Sequence, residues 1–492
     1  MNEKVVLTAD STLMSDYHHN EFLGFGTCAP PNFVPDFLYA QLFFPAIGTV
    51  NGSPVAAPYG LRKIEAQLLK EGFEVSVVAP THLASFMDDA EVLGVHVMDP
   101  FGLGPASSTF AAIMKKEPFL ARYFRDLLGS SEVRRAKKRG LKIIVGGPGA
   151  WQMRYRPNFV RNYGIDCVIE GEAENVVGKV FRAALNGDVL PSFYEASVRE
   201  TPGLNEIPDI VGPSVNGLVE IGRGCCRGCS FCSVTLRPLR WFPLEKIMRE
   251  IDVNLRAGTG AVILHTDDVM LYGSKSTLPD DSKLYDLNKK VLGKCSSISW
   301  SHCSLAAVAS KPKLFASVAE MIRAKQPWWG AEIGLETGSA ELAKKMMPAK
   351  AHPFKAEDWP EVVLEAMGLM HDNMLVPACT LIVGVPEETE SDVIKTIELM
   401  DDLKGFRSLI VPLFFVPMGR LKDEDWFKDT HLTSLHEQLL TRCVNHDVFW
   451  LRDIIDMGFS TSWRERVISP FLKAFAKIAE QRMKRAGINV ET

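Results

Sequence analysis

Ile221-Gly222-Arg223-Gly224-Cys225-Cys226-Arg227-Gly228-Cys229-Ser230-Phe231-Cys232 places four cysteines and three glycines within twelve residues. Three of the cysteines stand at i, i+4 and i+7, a spacing that suits one face of a helix as well as one arc of a loop. Buried cysteine is common in cores, so a structural stripe is one reading. The glycines separate the two: Gly222, Gly224 and Gly228 would each cost about 1 kcal/mol in a helix interior relative to alanine, whereas a loop needs them to bring backbone close to a bulky group. A loop is expected. Thiolates are soft ligands that suit iron–sulfur clusters or zinc, and purely structural sites of either kind usually take four protein donors. Cys225, Cys229 and Cys232 offer three on one arc. Cys226, adjacent to Cys225, points elsewhere in an extended loop, so zinc held by all four is the awkward alternative. Three thiolates on a four-iron cluster leave one iron open, as a reactive centre requires.

Outward from this loop the chain has an α/β rhythm. Leu218–Ile221 precedes it as a candidate strand, and Ala261–Leu264, Ile298–Ser301, Ala331–Leu335, Cys379–Val383 and Ser408–Phe415 follow. Leu244–Arg256, Pro312–Ile322, Glu341–Met347 and Glu390–Leu403 carry helical patterns between them. Six such units predict a partial (β/α)6 TIM-type barrel over residues 218–420, with functional groups at the C-terminal strand ends. Residues 421–492 predict a helical C-terminal domain. Its stretch Ser462–Ala486 sets Arg464, Arg466, Lys473, Lys477, Arg482, Lys484 and Arg485 against only Glu465 and Glu480, a solvated helix face or a partner-docking one.

Upstream, residues 1–190 alternate candidate strands (Lys4–Thr8, Glu74–Val78, Leu93–Met98, Leu141–Val145, Cys167–Ile169) with amphipathic stretches such as Tyr59–Glu71. This predicts a Rossmann-like, doubly wound parallel sheet. Asp10–Pro58 is long for a connection and is expected to be structured. Residues 191–217, rich in Pro, Gly and Ser, predict a connector. Three loops after strands carry small residues: Asp99-Pro100-Phe101-Gly102-Leu103-Gly104, Gly146-Gly147-Pro148-Gly149-Ala150 and Glu170-Gly171-Glu172-Ala173-Glu174. In a doubly wound sheet such loops line the ligand crevice.

At 492 residues, 46% hydrophobic and 23% charged, the chain has the composition of a multidomain globular protein rather than a disordered one. A formal charge of −5 gives no general attraction to nucleic acid. The N-terminal residues lack signal-peptide character and apolar runs such as Leu409–Met418 are far short of the roughly 20 residues that span a bilayer, so a cytoplasmic protein without a membrane partner is expected. Ten cysteines are few for this length, and four within eight positions suit a metal site better than a disulfide framework.

The C-x3-C-x2-C loop after a first barrel strand, with Phe231 before the third cysteine, resembles the signature of the radical S-adenosylmethionine (SAM) superfamily. Three later stretches agree: Ala261-Val262-Ile263-Leu264-His265-Thr266-Asp267-Asp268, Ile333-Gly334-Leu335-Glu336-Thr337-Gly338-Ser339 and Ile382-Val383-Gly384-Val385-Pro386-Glu387-Glu388-Thr389. The resemblance implies a [4Fe–4S] cluster on Cys225, Cys229 and Cys232, and SAM held by Phe231, Asp267, Asp268, Glu336, Ser339, Ile382 and Gly384. Two acids replace the more familiar Gly-Gly-Glu at the second strand, which leaves the separate roles of Asp267 and Asp268 open.

The preceding loops, with Pro58-Tyr59-Gly60-Leu61 opening a helix, are similar to the cobalamin-binding domains of class B radical methylases. That resemblance, covering residues 1–420, implies cobalamin contacts by Asp99, Phe101, Gly102, Leu103, Gly146, Gly147, Pro148, Gly149, Gly171 and Glu172. Where such domains carry Asp-x-His-x-x-Gly, this chain has Val50-Asn51-Gly52-Ser53-Pro54-Val55-Ala56-Ala57, which implies methylcobalamin without a histidine lower ligand. His18 and His19 are expected to be ordinary loop residues. The implied activity is methylation of an unactivated carbon, fed by an electron donor. The implied partner is a protein or peptide, the alpha subunit of methyl-coenzyme M reductase, modified at a glutamine. Cobalamin-dependent cyclisation, ring contraction or methylation of a small molecule is the alternative enzyme reading, and a non-enzymatic iron–sulfur or zinc module the alternative of another class. A methylthiotransferase is disfavoured because the N-terminal half has only Cys28 and Cys167.

Overall fold

The computed structural model describes residues 5–29, 34–459 and 463–485. The chain divides into two compact units, Met1–Leu218 with Met248–Thr259, and Val219–Ile247 with Gly260–Thr492.

The first unit is built on six parallel strands: β1 (Val5–Ala9), β2 (Val75–Val77), β3 (Val92–His96), β4 (Lys142–Gly146), β5 (Cys167–Glu170) and β6 (Phe193–Glu195), in the order β2-β1-β3-β4-β5-β6. Every residue of β1 and β3 is buried, as a parallel strand covered by helices on both faces must be. Leu7, Ile144 and Phe181 belong to one core layer and Val6, Leu93, Val145 and Phe124 to the other. This is the expected doubly wound arrangement. Strand order reverses at β1, so a crevice lies beyond the carboxyl ends of β1 and β3.

Phe193–Glu195, inside the stretch read as connector, pairs with β5 at the sheet edge. Its aromatic pair suits a strand, and an edge position demands only one neighbour. The Asp10–Pro58 excursion is structured. It holds 3-10 turns at Tyr17–His19 and Glu21–Thr27, a helix at Asp36–Phe43, and a ribbon of Thr49–Val50 against Ser53–Pro54. The ribbon turns on Asn51 and Gly52 at φ 51° and 84°, the pair of left-handed residues that two-residue hairpins favour.

The second unit contains the barrel strands β7 (Leu218–Glu220, of which Leu218 counts with the first unit), β8 (Ala261–His265), β9 (Ser297–Trp300), β10 (Trp329–Glu336), β11 (Leu375–Val383) and β12 (Leu409–Phe414). They form two three-stranded sheets joined by backbone bonds from Glu332 to Ser301 (2.8 Å) and from Cys303 to Glu332 (3.2 Å). Sequential strands are therefore neighbours throughout, a partial (β/α)6 barrel. In β8 and β9, Val262, Leu264, Ile298 and Trp300 are buried while the alternate residues are half-buried, so one strand face packs on helices and the other lines the barrel interior.

Strand β11 starts at Leu375, earlier than the sequence suggests, because Pro377 interrupts the apolar run. It is tolerated since β12 begins to pair only at Ala378, leaving Pro377 locally at an edge. Helices Ser434–Gly458 and Trp463–Arg485 follow. Of the basic stretch, the side chains of Arg464, Glu465 and Arg485 lie outside the described residues, and Arg466, Lys477, Arg482 and Lys484 are exposed. Among the described residues no helix is long and apolar enough to cross a membrane.

Candidate functional site

Beyond β7 the cysteine run is a loop. Gly222–Arg223 pairs antiparallel with Arg240–Trp241 and ties its two ends together. Gly224 and Gly228 sit at φ 83° and 68°, which excludes the helical stripe. A side chain at Gly222 would meet the Trp241 ring at 2.4 Å, and one at Gly224 the Pro238 carbonyl at 2.6 Å. The far end is anchored as well: Ser230 N–H donates to Met346 O (2.9 Å), Arg420 N–H to Ser230 O (2.8 Å) and Thr235 Oγ1 to Cys232 O (2.9 Å).

Cys229 is buried, Cys225 and Cys232 are half-buried, and Cys226 is exposed with its Sγ turned 3.8 Å from Ser276 O. Among the described residues no three His, Cys, Asp or Glu side chains close around a single metal ion. A cubane, which gives each thiolate its own iron, asks the sulfurs to stand apart, and the three soft donors on one glycine-rich arc fit it. Burial pushes the Cys225 thiol up to about 12 and raises Cys229 and Cys232, the last two opposed by the nearby Lys350 cation. The metal-free thiols are thus protonated at neutral pH, and a bound cationic centre must stabilise their thiolates.

The other strand ends surround this loop. Asp267 and Asp268, adjacent in sequence, have different surroundings. Asp268 is buried and bound to Arg227 and Ser304, so its carboxylate holds the loop, whereas half-buried Asp267 carries no such bonds and is raised by burial. Glu336 ends β10 at φ 69°, a backbone state that a non-glycine residue adopts only when its surroundings impose it. It pairs with Lys350 and accepts from Thr380 Oγ1 (3.3 Å). Lys350 also lies 5.9 Å over the Phe231 ring.

A small pocket lies here, lined by Glu336, Thr337, Leu342, Met346, Met347, Ile382 and Val385. It joins the two motif segments that end β10 and β11, and its acid, with Lys350 paired beside it, and its apolar wall suit the methionine end of a ligand such as SAM. Ser339 departs from the expected ligand role: fully buried, its hydroxyl caps the next helix at Leu342 N–H (3.3 Å) and bonds Asp392. Gly384 is demanded by packing, since a side chain there would meet the Phe427 ring at 1.9 Å.

Lys350 was not legible as a site residue; it lies fourteen residues beyond Glu336 outside any motif. A second group missed from sequence lines the barrel interior. His302 Nε2, just beyond β9, pairs with Glu332 Oε2 in the middle of β10 at 3.0 Å, both side chains 41% exposed. The His265 ring centroid is 6.1 Å from that of His302. The Glu332 carboxylate outweighs burial and raises His302, while burial and the His302 cation lower His265.

In the first unit the three glycine-bearing loops follow adjacent strands β3, β4 and β5. Asp99 is buried and accepts from Gly104 N–H (3.0 Å) and Gln152 Nε2 (2.6 Å), so it shapes its own loop. Phe101 is half-buried against Phe124 and Phe159, Gly102 turns at φ 64° and Leu103 is half-buried. Gly147 and Gly149 let their loop lie on the next one: side chains there would strike Val97 O at 2.5 Å and Met98 O at 2.2 Å. Gly146 and Glu172 are half-buried, and Pro148 and Gly171 exposed at the rim.

Beneath this rim lies His96, which sequence reading missed. It ends β3, is 9% exposed, and its imidazole makes no hydrogen bond among the described residues. An orphaned buried imidazole beside a side-chain-poor crevice fits a large bound ligand such as cobalamin. Burial pushes His96 down from 6.5 to about 4. The unfolded chain therefore takes up this proton first, so the residue's contribution to stability is present above pH 6.5 and lost as pH falls toward 4. Asp10, raised by burial from 3.8 to about 6, works oppositely, since its contribution is lost as pH rises through 6. His96→Gln is expected to flatten the fall in stability between pH 6.5 and 4 by on the order of 3 kcal/mol. Urea unfolding at several pH values checks this, and an unchanged slope would refute it.

Residues 219–400 match the family model of the Radical SAM superfamily. In fold the chain resembles the radical S-adenosylmethionine methyltransferase TsrM of Kitasatospora setae, solved with cobalamin and a [4Fe–4S] cluster bound. The TM-score is 0.54 at 15% identity, covering 86% of this chain and 74% of that one. Among curated relatives, a protein of Methanocaldococcus jannaschii named as a methylthiotransferase is 26% identical over 287 residues, 55% of this chain and 60% of its own length. The tRNA-2-methylthio-N(6)-dimethylallyladenosine synthase of Thermotoga petrophila is 26% identical over 54% of this chain and 57% of its own. An uncharacterised protein of Methanopyrus kandleri is 24% identical over 66% of each. The chain thus spans about 60% of the first of these relatives. The glycine-shaped cysteine loop, the cavity at the neighbouring strand ends and the family match agree that residues 219–400 form a radical SAM domain.

Proposed function

We propose that the protein is a cobalamin-dependent radical SAM methyltransferase acting on an unactivated carbon, and that its substrate is a glutamine in the alpha subunit of methyl-coenzyme M reductase. The observation that carries the reading is the pairing, in one chain, of a doubly wound sheet with a glycine-lined crevice and a barrel whose loop offers three soft thiols. With both cofactors bound, SAM cleavage at the cluster would supply a hydrogen-abstracting radical and cobalamin the methyl group.

The chain's own residues do the holding. Cys225, Cys229 and Cys232 would ligate iron, leaving one position for SAM. Lys350 and Glu336 would meet the charged ends of its methionine moiety, Asp267 its amine, and Ile382 with Val385 and Met346 its apolar parts. The loops at Asp99–Gly104, Gly146–Gly149 and Gly171–Glu172 would carry cobalamin, with His96 below them. His265, His302 and Glu332 would face the substrate from the barrel interior. No general base is needed for hydrogen abstraction, in keeping with a dyad placed to bind rather than to hydrolyse.

The names of several relatives suggest methylthiotransfer instead. Among the described residues of the first unit the cysteines are Cys28 and Cys167, and Cys167 is fully buried on β5, so that unit does not offer a second three-cysteine site. Protein purified without oxygen is expected to carry about four irons and about one cobalt, and to release 5′-deoxyadenosine when reduced with SAM. Iron without cobalt would reject the cobalamin part. Peptide mass analysis of methyl-coenzyme M reductase from strains with and without the gene is expected to show one methyl group missing from a glutamine, and an unaltered peptide would reject that substrate.

A further inference from the structure

Arg227 lies inside the cysteine loop, two residues from both Cys225 and Cys229, and its side chain is 3% exposed. Its guanidinium is fully engaged. Nε donates to Asp268 Oδ2 (3.2 Å), Nη2 to Ser304 Oγ (2.7 Å), and Nη1 to the carbonyls of Lys350 (2.9 Å), His352 (3.2 Å) and Ala349 (3.4 Å). Asp268, 5% exposed, accepts in turn from Ser304 N–H (3.2 Å) and Ser304 Oγ (2.6 Å). The backbone N–H of Arg227 points at Cys225 Sγ, 3.5 Å away. One side chain thus ties the ligand loop to the ends of β8 and β9 and to the turn that presents Lys350.

Holding the loop does not by itself require charge. A buried ion pair is weak evidence for stability, because well-packed apolar groups of the same volume often do as well. What charge adds is a field, felt strongly where water is excluded. We propose that Arg227 and Asp268 form a compensated charge pair that positions the cysteine loop and sets the reduction potential of the cluster bound there. Arg227 is a positioning residue, acting through the loop and its field. The proposal rests on the reading of Cys225, Cys229 and Cys232 as ligands of a [4Fe–4S] cluster.

The test is an EPR-monitored redox titration of anaerobically purified full-length protein, with iron analysis, on wild type, Asp268→Asn and the double variant Arg227→Gln/Asp268→Asn. Asparagine leaves an arginine that cannot shed its proton. The uncompensated cation is expected to favour the reduced cluster about tenfold, which for a one-electron couple raises the midpoint by about 59 mV. The double variant removes both charges and is expected to return most of the way to the wild-type midpoint, although it has lost more hydrogen bonds. A midpoint unmoved in Asp268→Asn, or a double variant displaced as far as the single, overturns the proposal. Should Asp268→Asn bind no iron, the double variant decides. Recovery of iron supports the charge argument, and loss equal to the single variant overturns it. Wild-type protein with no cluster signal would instead reject the ligand assignment itself.

Discussion

Replacing Cys229 by alanine is expected to abolish the cluster and with it SAM cleavage. Cys229 is the buried member of the three thiols, and its loop is pinned on both sides, by Arg227 on one and by Ser230 bonded to Met346 on the other. No other described cysteine can take its place, because exposed Cys226 turns toward Ser276. Iron content should fall well below that of wild type. Formation of 5′-deoxyadenosine should drop by more than about 100-fold, beyond the roughly 10–100-fold typical of losing an outer partner of a metal ligand. Cys226→Ala is the companion variant and should leave both iron content and 5′-deoxyadenosine formation at wild-type levels. Equal losses from the two variants would point back to a four-thiol site.

The second large effect is on stability. Trp359 is completely buried, and its indole Nε1 donates to Leu335 O (3.2 Å) and Thr337 O (3.0 Å), the carbonyls on either side of Glu336. It therefore supports the one residue of the cavity whose backbone is strained. Trp359→Ala should destabilise the second unit by about 3–5 kcal/mol, from the cavity it leaves and the two hydrogen bonds it loses. Trp359→Phe keeps most of the volume and loses only the bonds, which should cost about 1–3 kcal/mol. Denaturant titration followed by tryptophan fluorescence and circular dichroism separates the two. An alanine variant that unfolds at the wild-type midpoint would remove the support assigned to Trp359. The phenylalanine variant should also bind SAM more weakly, because the strand end that carries Glu336 is no longer held.

Much of this architecture is local chemistry. Gly222, Gly224 and Gly228 forbid a helix through their own conformational cost, so the cysteine loop is legible from twelve residues. The β-branched runs that became β1, β3, β4 and β5 announce buried parallel strands because both of their faces are apolar. The glycines of the Asp99–Gly104 and Gly146–Gly149 loops mark close backbone approach for a similar reason, though the structure shows that part of this approach is loop against loop.

What stayed hidden depends on partners distant in sequence. Asp267 and Asp268 are chemically identical neighbours, and only Arg227, forty-one residues away, gives Asp268 a separate role. Ser339 reads as a ligand in a motif and proves to be a cap because Asp392 reaches it. Lys350 has no motif at all; its meaning comes from Glu336 and Phe231. His302 meets Glu332 only because β9 and β10 are adjacent in the barrel. His96 becomes conspicuous only when folding buries it without a partner. The sequence by itself determined the loop and the strands, since those follow from backbone freedom and hydrophobic pattern within a few residues. Which charged groups are already paired, and which remain available to a ligand, was decided by tertiary structure alone, because pairing and desolvation depend on what folding brings within a hydrogen bond's reach.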